Sequence, residues 1–419
     1  MNSLTPTDVY AIVNSVARQA TGQDNLVATD TSSFVAVGET LLRTAAENTL
    51  SAISTVLSTT IFSDRPYAAK LRTLYGSDQR WGAMVRKIIP LYEGAEASED
   101  WNTDLAPNQL ADGASVDMFK IKKPKVVQLN FYGTKLLQKH ITRFRDQLSL
   151  AFQSEAEFAA FLSSVMKEFT NDLETLHEAE TRATLLNFIA GIHAMSLTEV
   201  DLVAGYNTEY GTTYTRAQLL STYVESFMKY VASEIKNYSE LLTDRTSKYH
   251  ANLSAYSPIL HFTPKDRQRM IMYNPIFLKA EATVYSSLFN PKYLEIGDFE
   301  GVNYWQALDK PTEINIKPNI LNVVNGQSVT ASEAVNLPYV LGLLYDADAL
   351  GVNYQFDYAA TTPFNPAGGY YNMYIHERKN FWNDFTENAV LFVLGAGGVT
   401  ESAGGESAGG ESAGEGGNG

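Results

Sequence analysis

The sequence predicts an elongated subunit of the α+β class, on three observations. One stretch, Ser154 to Gly191, holds a single helical periodicity far longer than a compact domain needs. Two segments nearer the amino terminus have too little bulky apolar area to fold alone. Strand signals dominate the second half, after a second helical region.

The long helix is the element around which the rest is arranged. Ser154 with Glu157 predicts a capping box at its start, and Gly191 predicts its stop. Phe158, Phe161, Leu162, Val165, Phe169, Leu173, Leu176, Ala183 and Leu186 recur at three- and four-residue steps and place one apolar stripe on one face. Glu168, Asp172, Glu174, Glu178 and Glu180 are expected to occupy the remainder. At 1.5 Å per residue, about 36 residues make a rod of about 54 Å.

At 419 residues and 45% hydrophobic content, the chain can bury a sizeable core in two or three domains. A net charge of -15 argues against broad nucleic-acid coating, which needs clustered Lys and Arg. With no cysteine, disulfides, thiolate zinc sites and cysteine nucleophiles are excluded. No apolar run approaches the roughly 18 residues of a membrane span, and Met1 to Ala11 lacks the regions of a secretory signal. The expectation is a soluble protein in the cytoplasm of the cell that makes it.

In chain order, Thr5, Pro6 and Asp8 open a short helix whose Val9, Ile12, Val13 and Val16 share a face. After a polar joint from Thr21 to Ser33, the arm Phe34 to Phe62 repeats Val37, Leu41, Ala45, Leu50, Ile53 and Leu57 and must lie on another surface. A long hairpin follows, with Trp81 to Tyr92 going out and Met118 to Tyr132 returning. Its tip is acidic and its returning strand carries a lysine cluster. Such a ribbon is marginal when solvated on both faces, so it should rest on something else.

Lys135 to Phe152 links the hairpin to the long helix, Tyr206 to Tyr214 reads as a loop, and Arg216 to Leu242 as a helical region. The mixed part begins near Tyr256. His261 to Tyr273 predicts a turn and a short strand, Pro275 to Leu288 a helix, Tyr293 to Phe299 a strand, and Leu337 to Gly351 a buried strand with a turn. Gly369 to Glu377 predicts an aromatic strand, and Phe381 to Leu394 a polar turn followed by a strand that enters an existing sheet. Beyond Gly397 the repeated ESAGG can bury nothing and predicts a flexible acidic tail.

No catalytic, cofactor or metal residue is assigned. The six histidines are scattered, and after His177-Glu178 the position a metalloprotease helix needs for its second imidazole is Thr181. Phosphate loops, dinucleotide fingerprints and nucleophile elbows are missing from the sequence. Arg267 and Arg269 form a weak anion-site motif, better read as a solvated turn. A hydrolase or carbohydrate-active enzyme with an α+β core is the alternative of a different class, and a portal or tail component is a third reading.

The order of elements resembles the major capsid proteins of tailed bacteriophages with the Hong Kong 97 fold, most closely the small podovirus type of protein-primed Bacillus phages. The residues that carry it are FVAVGETLL at Phe34 to Leu42, KPKVVQLNFYG at Lys123 to Gly133, AEFAAFLSSVMKEF at Ala156 to Phe169, YNPIFLKAEATVYSS at Tyr273 to Ser287, and GYYNMYIHERKNFWNDFTENAVLFV at Gly369 to Val393. The resemblance implies an amino-terminal arm (1–63), an extended loop (64–133), a peripheral domain (134–256) with a spine helix (155–190), an axial domain (257–379), a closing strand of the peripheral domain (380–396) and a tail (397–419). It also implies a non-enzymatic subunit assembling into pentamers and hexamers of an icosahedral or prolate shell around double-stranded DNA. Scaffolding and portal partners, only weak inner-surface contact with the packaged DNA, no membrane partner, and assembly in the host cytoplasm belong to the same expectation. The resemblance also implies an immunoglobulin-like domain at the carboxyl end, where this sequence shows only the tail, a departure that leaves a surface-display role without support.

The one candidate contact surface read from the residues lies on the hairpin. Lys120, Lys122, Lys123 and Lys125 on its returning strand, and Glu96, Glu99, Asp100 and Asp104 at its tip, are expected to meet between adjacent subunits.

Overall fold

The computed structural model describes residues 6–22, 26–44, 52, 68–75, 85–93, 110–119, 121–144, 155–254, 256, 258–276, 278, 298–363 and 365–395. The apolar spacing near the amino terminus forms helices α1 (Pro6–Thr21) and α2 (Thr31–Thr44). Val9, Val13, Val16, Phe34, Val37 and Leu41 are buried there, together with Phe158 and Tyr371, in a small core of their own. α2 begins inside the stretch expected to be a polar joint. Asp30 caps it, accepting from the Ser33 amide at 2.8 Å, while the Ser33 hydroxyl accepts from the Asp30 amide at 3.0 Å. Apart from Ala52, which is buried in the same core, the remainder of that arm and the Thr5 cap lie outside the described residues.

The hairpin is shorter than its sequence signal. β1 (Val85–Pro90) and β2 (Val126–Phe131) pair antiparallel from Val85 opposite Phe131 to Pro90 opposite Val126. One further bond, from the Leu91 amide to the Lys125 carbonyl at 3.0 Å, closes the ladder. Pro90 on one strand and Pro124 just before the other have no amide to donate, so pairing stops between them, and 118–119 and 121–125 are not strand. The segment expected only as a link continues as β3 (Thr134–Phe144).

The long helix is α3 (Glu155–Ala194), with Ser154 outside the described residues. Gly191 does not end it. A Cβ there would sit 2.4 Å from the ring of Phe385, which stacks on Phe188 at 5.1 Å, so the glycine makes room for a ring packed against the helix interior. The stop is a Schellman turn in which Ser196 takes φ 50°, with the Ser196 amide bonded to the His193 carbonyl and Leu197 to Ile192. Its last three turns are buried on several sides through Leu185, Leu186, Phe188, Ile189 and Ile192, whereas Ala183 is exposed. Glu178 and Glu180, expected on the remainder of the helix outside the apolar stripe, are buried and paired.

After α3 come β4 (Glu199–Asp201), α4 (Leu202–Tyr210), α5 (Arg216–Leu219) and α6 (Val224–Leu241). α4 takes half of the expected Tyr-rich loop, because the Asp201 carboxylate caps its first amides and Gly211 at φ 63° ends it. The second half of the chain supplies β5 (Gln268–Tyr273), β6 (Asp298–Val302), β7 (Ile314–Ile316), β8 (Asn319–Leu321), β9 (Ser328–Thr330), β10 (Val335–Leu337), β11 (Val340–Asp346), β12 (Leu350–Thr361), β13 (Tyr370–Asn383) and β14 (Ala389–Val393). The helix expected from Pro275 to Leu288 lies largely outside the described residues.

Two sheets organise the structure. The first runs β4-β14-β11-β5-β6, and its β11 and β14 are buried at every position. The closing strand therefore enters an existing sheet, as its apolar run predicts. The second runs β12-β13-β3, so the unpredicted β3 pairs over eleven positions with a strand more than 200 residues later in sequence. α3 packs on this second sheet and on the main core.

Candidate assembly interface

Alternation along β13 and β3 decides which side chains face α3. Glu377 and Lys379 on β13, with Lys135 and Lys139 on β3, point toward the helix; the three lysines meet its acids and Glu377 meets its His177. Lys379 lies 3.0 Å from Glu180 and 2.9 Å from Glu377, and His177 lies 2.9 Å from Glu377. Burial alone would raise the Glu377 pKa, but hydrogen bonds from His177 and Lys379 reverse this and hold it below the usual carboxylate range. One turn on, Arg182 pairs with Glu178 at 2.6 Å, donates to the Trp305 carbonyl and lies over the Tyr304 ring at 4.0 Å. The segment before the hairpin is clipped to the same helix. The Ala69 amide donates to Glu174 at 2.8 Å and Arg72 pairs with it at 2.9 Å, while Leu71, at φ 62°, and Leu74 enter the main core.

The hairpin arm follows this fixed base in the chain. Its root is held by an apolar cluster in which Ile89, Leu91, Val127 and Leu129 pack against Leu253 and Ile259. Lys87, on the same strand, reaches Asp384 and Glu387 in the turn after β13, and lies 3.2 Å from the Thr386 hydroxyl. Burial of Lys87 opposes its charge, yet the two acids outweigh that and raise its pKa. Burial pushes Glu387 up to about 7 against the pull of Lys87. His261, whose Nδ1 is 3.8 Å from Glu387, is driven down to about 4 by burial and by the Lys87 charge. A cleft of about 810 Å³ opens beside the root, between β2, α3 and the β8–β9 hairpin, with Phe131, Leu321, Trp382 and Phe385 among its walls.

Several apolar side chains along the described part of the arm are uncovered. Met118, Phe119 and Ile121 are 83%, 80% and 83% exposed, and Val116, Val126, Ile88 and Tyr132 are also exposed. Large side chains in such a run mark a surface meant to be covered. Lys122, Lys123 and Lys125 stand exposed in the same segment; Lys122 and Lys125 lie 3.9 and 3.8 Å from Glu93, an acid of the same arm. Lys120, Glu96, Glu99, Asp100 and Asp104 lie outside the described residues. Reading the sequence for charge locates the lysines but misses the stronger feature, because a strand from Met118 to Tyr132 does not reveal that Met118, Phe119 and Ile121 stand exposed.

Among the described residues, no group of three or more His, Asp or Glu is placed to hold a metal ion, and no helix is long and apolar enough to cross a membrane. Arg267 is engaged by Asp348 and lies 3.9 Å from Asp346, so the weak anion motif is an ion-paired turn.

Comparison with known proteins supplies the context. A family model described as "Phi29-like phage major capsid protein" matches residues 11–393. No curated protein matches the chain. Among solved structures, the chain is similar to one in the capsid of Staphylococcus phage Andhra, with TM-score 0.53 and 9% identity over 80% of this chain and 87% of that one. It is also similar to a chain in a structure of the head fiber and inner core protein of native bacteriophage P68, with TM-score 0.49 and 12% identity over 80% and 86%. A third is from the capsid of cyanophage P-SCSP1u, with TM-score 0.44 and 11% identity over 80% and 91%. At such identities the first of these is a likeness of fold.

Proposed function

The chain belongs to the Phi29-like phage major capsid protein family, and from that premise we propose how it builds a shell. Its role is that of a major capsid protein, a structural subunit of the virion that assembles with copies of itself. The finer reading is that these copies form pentamers and hexamers, assembled in the host cytoplasm with scaffolding and portal partners, and that the chain performs no catalysis. The division into amino-terminal arm (1–63), extended loop (64–133), peripheral domain (134–256 with 380–396), axial domain (257–379) and tail (397–419) belongs to the same proposal.

The observation that carries it is the contrast within one arm. Its root is pinned by an apolar cluster and a half-buried lysine, while Met118, Phe119 and Ile121 beyond are more than three-quarters exposed. A subunit that completes its burial on a neighbour has this form. The lysines at 120, 122, 123 and 125 and the acids at 96, 99, 100 and 104 are taken as complementary charge between adjacent subunits, steering the apolar segment into place. Negative-stain microscopy of the purified protein, alone at high concentration and with a scaffolding partner, tests this. Closed shells or capsomer-like rings are expected. A sharp monomer in sedimentation at every salt and concentration, with a cooperative melt, would contradict it.

A further inference from the structure

We propose that the root of the hairpin arm is a proton-coupled latch, in which Lys87 and a protonated His261 are alternative counter-ions for the Asp384 and Glu387 carboxylates. A docked arm supplies Lys87 and leaves His261 neutral. An undocked arm withdraws Lys87 and His261 takes up a proton in its place. The inference concerns the root alone and does not depend on where the tip of the arm lies in a shell.

Every element packed on this site contributes a charge or a titrating group. β1 gives Lys87, while its neighbours Arg86 and Ile88 are exposed on the other face. The turn after β13 gives Asp384 and Glu387 and is rigid: the Thr386 amide and hydroxyl both donate to Asp384, at 2.9 and 2.6 Å. The end of β11 adds Asp346, held by the Thr263 hydroxyl at 2.8 Å and near Arg267 at 3.9 Å. The loop after α6 gives Arg245, which lies over the Tyr92 ring at 5.9 Å, and the two imidazoles of His250 and His261, whose rings are 5.1 Å apart.

The two histidines are not equivalent. Both nitrogens of His250 are engaged, Nδ1 with the Asn388 side chain at 2.8 Å and Nε2 with the Ile259 carbonyl at 2.9 Å. His261 keeps its Nε2 buried without a hydrogen-bond partner among the described residues, and its Nδ1 faces Glu387 at 3.8 Å. With Lys87 gone, the carboxylates of Asp384, Glu387 and Asp346 would share a half-closed site, and His261 is the nearest group able to become a cation. Lone buried carboxylates are strongly unfavourable, so the exchange of one cation for another is what lets the arm leave.

The sign follows from what Lys87 does while docked. Its charge lowers the proton affinity of both His261 and Glu387, which stand at about 4 and about 7. Withdrawing it raises both, so the undocked form binds more protons across the interval from about pH 4 to about pH 7, and above it for Glu387. Docking therefore strengthens as pH rises and weakens as pH falls, by up to about tenfold per pH unit for one proton.

The chain has no cysteine, which allows a clean test. Gln128→Cys on the arm and Ser254→Cys on the loop, both exposed positions, would carry spin labels in the unassembled full-length subunit, with distances read by pulsed electron resonance from pH 8 to pH 5. A longer-distance population should grow as pH falls, by a few-fold to tenfold per unit. Lys87→Met should hold that population at every pH with little slope. His261→Gln should stay docked and lose most of the slope, and it decides the matter if Lys87→Met does not fold. One unchanged distance from pH 8 to pH 5, or a wild-type slope in His261→Gln, would overturn the proposal.

Discussion

The core around β11 and the hairpin arm use the same materials with opposite results. In the core, β11 and β14 bury every residue, and the charges of α3 find partners on β13 and β3 in the same chain. Along the arm, apolar side chains of equal size stand in water and the lysines are exposed. The difference lies in closure rather than composition. β11 sits in the interior of a sheet with a strand on each side, whereas among the described residues the β1–β2 ribbon pairs with no third strand and ends where its prolines end the ladder. Stability of the subunit and competence for assembly should therefore separate cleanly by position.

The largest effect is expected where the core's closure depends on charge. Lys379→Ala would leave Glu180 and Glu377 buried without their shared cation, a loss of about 3–5 kcal/mol. Urea unfolding of the unassembled subunit measures it, and a loss below about 1 kcal/mol would break the comparison from the core side. Next comes the apolar arm: Phe119→Ser with Ile121→Ser should leave subunit stability within about 1 kcal/mol, since exposed side chains contribute little to folding, while shell yield in assembly reactions falls severalfold or more. Equal loss of stability and yield would give this segment a folding role instead.

A smaller effect is expected from the lysines. Changing Lys122, Lys123 and Lys125 to glutamate should weaken association, with under about 1 kcal/mol lost from the subunit per exposed charge. Salt near 0.5 M, where screening reaches about 4 Å, should reproduce part of that loss. Unchanged yield at unchanged melting temperature would confine their pairing to Glu93 of their own arm. The smallest effect belongs to the tail: with no bulky residue after Val399, removing Gly397 to Gly419 should change neither melting temperature nor shell yield measurably.

What could be read from sequence divides along similar lines. Apolar periodicity located α1, α3, β5, β11 and β14, because each buries residues at the spacing its geometry requires. β3 was missed because its stability comes from pairing with β13 across more than 200 residues, and TKLLQKHITRF carries no clean alternation to announce it. The end of α3 was misplaced because a glycine can mark either a turn or a close contact. At Gly191 it marks a contact with Phe385, whereas Ser196 makes the turn. Glu178 and Glu180 read only as the polar remainder of the helix because a charge pattern does not reveal that Arg182 and Lys379 will be brought to it. The arm's lysines were visible as a run, but the exposure of Met118, Phe119 and Ile121 depends on where the ladder stops, and that only the folded backbone decides.

The central claim is that a neighbouring copy covers what this subunit leaves open, and electron cryomicroscopy of the assembled shell tests it most directly. The account predicts that Met118, Phe119 and Ile121 lose most of their solvent exposure against an adjacent subunit while the β1–β2 register stays as it is. Shells in which those three side chains remain as exposed as in the isolated chain would contradict it.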